Sequence, residues 1–186
     1  IEVTVYPELA VNFVVSSQNE CEPAYIVFTN ESSFSPGATI IWDFGDGTTS
    51  NEINPIHEYT EPGVYDISLE IQNIVGCVDT VSLLLNDLIT IRPSPNAGID
   101  ASPRVQSILT PEIEFFDLSK EYLDTWLEPG NGDIVEEPNG IYFYSDTGSY
   151  LARIIAVNES GCYDTAAVKI KIEPIYALFI PNAFSP

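Results

Sequence analysis

The sequence predicts an all-β chain built as two β-sandwiches in tandem. Three observations carry this: a composition rich in Tyr, Phe, Val, Ile and Thr without a single Met, short alternating apolar segments punctuated by Gly and Pro, and a pattern that recurs along the chain. A chain of 186 residues has room for two domains of about 90 residues, each with its own modest core.

The recurrence begins with three strands that end in proline, which cannot donate a ladder hydrogen bond: Val3-Thr4-Val5-Tyr6-Pro7, Ile89-Thr90-Ile91-Arg92-Pro93 and Ile170-Lys171-Ile172-Glu173-Pro174. Residues 1–7 are therefore expected to be the last strand of a preceding domain, with one domain over 8–93 and a second over 94–174. Between these marks Tyr25–Ser32 matches Glu112–Ser119, and Trp42 matches Trp126. Tyr59, Gly63 and Tyr65 match Tyr144, Gly148 and Tyr150, and Asn73, Gly76, Cys77, Asp79 and Thr80 match Asn158, Gly161, Cys162, Asp164 and Thr165.

Alternation places strands around 11–15, 24–29, 38–44, 64–72 and 77–85 in the first copy, and 112–116, 122–127, 149–157 and 163–172 in the second. Turn signals separate them, among them Ser35-Pro36-Gly37, Gly45-Asp46-Gly47 and Glu61-Pro62-Gly63. Trp42 and Trp126 are expected to be the large buried side chains of a mid-sandwich strand. Gly63-Val64-Tyr65 and Gly148-Ser149-Tyr150 are expected to form corners in which a Tyr hydroxyl caps the backbone.

Trp42-Asp43-Phe44-Gly45-Asp46-Gly47, followed by Asn54-Pro55-Ile56-His57-Glu58-Tyr59 and Pro62-Gly63-Val64-Tyr65, resembles the signature of the PKD domain, an immunoglobulin-like β-sandwich. The second copy keeps the tyrosine and glycine spacing but departs at the turn, with Leu127 in place of Asp43 and Gly130-Asn131-Gly132 in place of Gly-Asp-Gly. It is identified as a divergent PKD domain. Phe179-Ile180-Pro181-Asn182-Ala183-Phe184-Ser185-Pro186 is similar to the opening of the C-terminal sorting domain of Bacteroidetes gliding-motility proteins, the type B signal of type IX secretion, so that 175–186 would begin such a domain. That resemblance implies a large adhesin at the surface of a Gram-negative bacterium. Its partners would be outer-membrane barrel or anchor proteins of the secretion or gliding machinery, and an external surface or polysaccharide met through distal regions.

Charge narrows the partners further. Asp and Glu number 28 against 6 Lys and Arg, a formal charge of −22. Such a surface repels nucleic acid and anionic membrane, and suits a soluble extracellular protein or one that binds Ca²⁺.

Asp43 and Asp46 sit on the glycine turn, where carboxylates either join backbone carbonyls around Ca²⁺ or cap the turn while Gly45 and Gly47 take positive φ; the capping reading is favoured because the second copy loses both acids. His57, the only histidine, would have to serve any zinc site or Ser-His-Asp triad, but Tyr142 replaces it in the second copy, which favours packing. Tyr142 and Tyr144 read as core rather than as sugar platforms. No residue pattern marks an active site, and no cofactor other than Ca²⁺ is suggested.

Three cysteines leave one without a partner within the chain. A Cys21–Cys77 bridge would have to join opposite ends of one sandwich across a strand of roughly 25 Å, whereas a disulfide needs Cα atoms within about 7 Å. The expectation is an interdomain Cys21–Cys162 bridge, with Cys77 bonded to the preceding domain and Ile108 standing where the first copy has Cys21. The alternative is Cys21–Cys77 with Cys162 as a thiol. Taken together, these readings lead to a non-enzymatic stalk of an adhesin, with an accessory carbohydrate- or protein-binding module of a secreted hydrolase as the alternative.

Overall fold

The computed structural model describes residues 9–74 and 79–175. The expected strand at 3–7, Gly76 and Cys77, and the segment 179–186 lie outside the described residues. The chain divides into two units between Pro93 and Ser94.

In the first unit the strands are β1 (Phe13–Val15), β2 (Asn19–Cys21), β3 (Ala24–Asn30), β4 (Thr39–Asp43), β5 (Thr49–Ser50), β6 (Ile56–Tyr59), β7 (Gly63–Asn73) and β8 (Asp79–Arg92). They form two sheets, ordered β1-β3-β6 and β2-β8-β7-β4-β5. The second unit contains β9 (Ile99–Ser102), β10 (Val105–Ser107), β11 (Glu112–Asp117), β12 (Asp124–Glu128), β13 (Gly140–Phe143), β14 (Gly148–Val157) and β15 (Tyr163–Glu173), in sheets β13-β11-β9 and β10-β15-β14-β12. Every pairing is antiparallel except β2 with β8 and β10 with β15. The leading segment of each sandwich thus starts on one sheet and crosses to the edge of the other, the order of an immunoglobulin-like fold.

Alternation explains the layers. On β3, Ala24, Ile26 and Phe28 point inward while Tyr25, Val27 and Thr29 face solvent. Trp42, Phe28, Ile67, Leu69, Ile71 and Ile89 meet in the first core, and Phe13 and Phe28 pack on the Trp42 ring at centroid distances of 5.1 and 5.5 Å. The second core gathers Ile113, Phe115, Leu127, Tyr144, Ala152, Val168, Ile170 and Ile172.

The ladder between β7 and β8 shifts register between Tyr65 and Ile67, where Asp87 adopts a φ of 53° and its N–H donates to Asp66 Oδ1 at 2.7 Å. The β14–β15 ladder runs unbroken from Gly148–Ile172 to Val157–Tyr163. Short strands β2, β5, β6, β9, β10 and β13 lack a clear alternating run in sequence. They exist because the long central strands offer them paired edges.

Candidate functional site

The glycine turn of the first unit is held by its own side chains. Asp43 Oδ1 accepts the Gly45 N–H at 2.9 Å, and Asp46 Oδ1 accepts the N–H and hydroxyl of Thr48 at 2.9 and 2.6 Å. Asp46 Oδ2 lies 2.7 Å from His57 Nε2, so that nitrogen carries the proton. The imidazole stacks on Phe44 at 4.1 Å and meets the edge of Tyr59 at 4.6 Å. Tyr59 closes the loop by donating to Phe44 O at 2.9 Å. Partial burial pushes the Asp46 carboxyl upward, but hydrogen bonds from Thr48 and His57 outweigh it and hold the group below the usual carboxylate range. Burial raises the Tyr59 phenol well above its ordinary value.

Gly45, at φ +79°, packs so closely that an added Cβ would sit 2.4 Å from Asp66 O; Gly47, at φ +89°, has open space around it. Gly63 and Gly148 serve a different need. Each is covered by the folded-back ring of Tyr65 or Tyr150, whose hydroxyls donate to Glu61 O at 2.8 Å and Asp146 O at 2.9 Å.

The second unit builds the same turn from different groups. Tyr144 donates to Pro129 O at 2.9 Å, as Tyr59 does to Phe44 O, and Gly130 approaches Leu151 O as Gly45 approaches Asp66 O. Asn131 Nδ2 donates to Asp133 Oδ2 at 2.9 Å and to the Tyr142 hydroxyl at 2.7 Å, while that hydroxyl donates to Asp133. Asn131, Asp133 and Tyr142 therefore stand where Asp46, Thr48 and His57 stand. The carboxylate has moved two residues along the loop, and hydrogen bonds from Tyr142 and Asn131 hold it below the usual range. Its Tyr142 partner is raised, by burial first and by Asp133 second.

These equivalences fix a constant offset across the turn and correct the sequence alignment. Trp42 pairs with Leu69 on β7, and Leu127 pairs with Ile154 on β14, so Leu127 occupies the position of Trp42. Trp126 is half-buried on the outward face of its sheet, beside Ile155, and Leu127 is the buried core residue. Asp43 corresponds to Glu128, so both carboxylates of the turn have acidic counterparts, one of them displaced. The identical Trp letters drew the alignment one residue off; the tyrosine-to-carbonyl hydrogen bonds reveal the true register. Similarly, Cys21 pairs with Arg92 as Ser107 pairs with Glu173, so Ser107 rather than Ile108 is the counterpart of Cys21.

Cys21 and Cys162 are both disulfide-bonded, and Cys162 is fully buried. Among the described residues, no group of three or more His, Cys, Asp and Glu comes together in a way that would hold a metal ion. Asp43 and Asp46 each direct carboxylate oxygens at the loop itself.

Two open clefts flank Ile134 in the second unit. One, of about 770 Å³, is lined by Asp124, Thr125, Trp126, Ile134, Glu136 and Glu137. The other, of about 440 Å³, brings Glu128, Asp133, Leu151 and Arg153 together. Sequence reasoning missed the first cleft because it assigned Trp126 to the core. The signal that finds it is parity: Thr125 and Leu127 are buried, so Trp126 faces outward.

Residues 10–84, within the first unit, match the family model described as PKD domain. The chain is similar to a microbial collagenase of Vibrio alginolyticus, 38% identical over 60 residues, which are 31% of this chain and 7% of the collagenase. It is also similar to the pre-pro-metalloprotease PrtV of Vibrio cholerae serotype O1, 27% identical over 153 residues, which are 79% of this chain and 16% of the protease. The chain thus spans a small part of these relatives' length. Among solved structures, the PKD1 domain from the Vibrio cholerae metalloprotease PrtV is 30% identical, covering 42% of this chain and 94% of that domain, with a TM-score of 0.33.

Proposed function

We propose that this chain is a non-catalytic, extracellular accessory segment of a larger hydrolase, a protease above all, which it helps to engage macromolecular protein substrate. The observation that supports this most is the pairing of a PKD domain with sequence similarity to a collagenase and a metalloprotease, in a turn whose acids, histidine and tyrosine are all engaged in holding the fold. A side chain committed to several structural hydrogen bonds is poorly placed to act as a catalytic base. The purified two-domain chain is expected to co-sediment with insoluble collagen fibrils and to release no new peptides from them. Peptide release, or a complete lack of retention on any insoluble protein, refutes the reading.

A second reading, the stalk of a surface adhesin exported by type IX secretion and held by an outer-membrane partner, draws on the −22 charge and on the Phe179–Pro186 segment. Surface labelling of cells lacking the secretion machinery distinguishes the two, since only the adhesin disappears from the surface. In either setting Cys21 and Cys162 form one bridge between the domains, a proposal supported by the oxidised state of both. Non-reducing peptide mapping that recovered Cys21 joined to Cys77 would overturn it.

A further inference from the structure

Most residues lining the cleft beside Trp126 differ in the first unit. At the equivalent positions stand Thr39 for Asp124, Ile41 for Trp126, and Asn51 and Glu52 for Glu136 and Glu137. In the first unit the facing segment forms a short strand, β5, whose Thr49 and Ser50 pair with Asp43 and Trp42, and Trp42 Nε1 donates to Glu52 O at 3.0 Å. In the second, β12 is the edge strand of its sheet, and the facing segment is pinned by one bridge between Leu127 and Val135, with both N–H groups donating at 2.8 Å. That bridge holds the two walls of the cleft, with the Trp126 indole on one and Ile134, Glu136 and Glu137 on the other.

The lining dictates the ligand. Trp126 Nε1 has no hydrogen-bond partner among the described residues, and Glu136 and Glu137, both exposed, make no hydrogen bond or ion pair there. Asp124 caps the Thr125 N–H with Oδ1. Among the described residues no basic side chain lines this cleft; Arg153 lines its neighbour, next to Glu128 and Asp133. A cleft lined by an indole and carboxylates attracts an organic cation, through the ring quadrupole and through charge together. Ca²⁺ requires six to eight oxygen ligands, which an indole and an isoleucine wall do not supply. A phosphate-bearing lipid headgroup is repelled by the same carboxylates and by the acidic chain as a whole.

We propose that the Trp126 cleft is a binding site for a cationic side chain, a lysine or arginine presented by a basic segment of a protein partner. This gives a chemistry to the contact that the accessory-module reading requires and rests on that reading only for its setting. The test uses the two-domain chain alone with a pentalysine peptide, so its failure leaves fibril retention as a separate question.

In NMR titrations the Trp126 indole N–H resonance is expected to shift while that of buried Trp42 stays in place. Trp126→Ala should weaken binding by about 5- to 10-fold. The variant carrying both Glu136→Gln and Glu137→Gln, at exposed positions, should weaken it comparably and serves if Trp126→Ala does not fold. Peptide with acetylated lysines should not bind. Three results would overturn the proposal: equal binding by folded Trp126→Ala, which indicates diffuse attraction to the acidic surface; equal binding of the acetylated peptide; or saturation by tetramethylammonium that pentalysine cannot displace.

Discussion

Replacing Trp126 with alanine should cost far less stability than replacing its smaller neighbour Leu127. Leu127 is 1% exposed and packs in the second core, whereas Trp126 stands half-buried on the outer face of the sheet. Truncating a core leucine costs about 2–5 kcal/mol, from lost transfer energy and the cavity left behind. Half the burial of a large aromatic side chain corresponds to about 1 kcal/mol. In the first unit the order reverses. Trp42→Ala removes a fully buried ring that touches Phe13 and Phe28 and strands the carbonyl of Glu52, for about 3–5 kcal/mol, while Ile41→Ala on the exposed face should cost about 1 kcal/mol or less. Native-state hydrogen exchange read peptide by peptide separates the units, because β7 reports the first and β14 the second. A Trp126→Ala variant that loses as much protection in β14 as Leu127→Ala would refute the one-residue correction and return Trp126 to the core.

Other consequences follow from the turns. Gly45→Ala should be clearly worse than Gly47→Ala: both carry the left-handed strain of about 1–2 kcal/mol, but only Gly45 adds a 2.4 Å collision with the Asp66 carbonyl, a difference measurable by urea unfolding. Tyr59→Phe and Tyr144→Phe should each cost about 1–3 kcal/mol, since each leaves a buried carbonyl acceptor, of Phe44 or Pro129, without its donor. Asp46 titrates below its unfolded value, so its contribution is present above about pH 4 and is lost as pH falls through the lower folded value; thermal melts of Asp46→Asn should show a shallower acid limb than the parent chain.

Much of the fold was legible because the long strands announce themselves. β3, β4, β7, β11 and β14 alternate strictly, and Gly or Pro brackets most of them. The tyrosine corners were legible too, because a tyrosine two residues after a glycine folds its ring back over the position where a Cβ is missing. The short edge strands were not, since two to four residues carry no period of their own. The turn network of the second unit was hidden by compensation: Asn131, Asp133 and Tyr142 stand for Asp46, Thr48 and His57, identical at no position yet closing the same loop. The Trp126 cleft was hidden for the opposite reason. An identical letter suggested an identical role, whereas the pairing of Leu127 with Ile154 and the burial of Thr125 and Leu127 show that Trp126 faces outward and Trp42 inward.

On the proposed reading, these two sandwiches assist a catalyst without being one. Deleting them from the full-length parent protein and assaying it on both a short soluble peptide and an insoluble protein substrate tests this most directly. The expected result is unchanged turnover of the short peptide and a marked loss on the insoluble substrate. Loss of turnover on the short peptide, with the remaining protein folded, would place catalytic groups in this segment and contradict it.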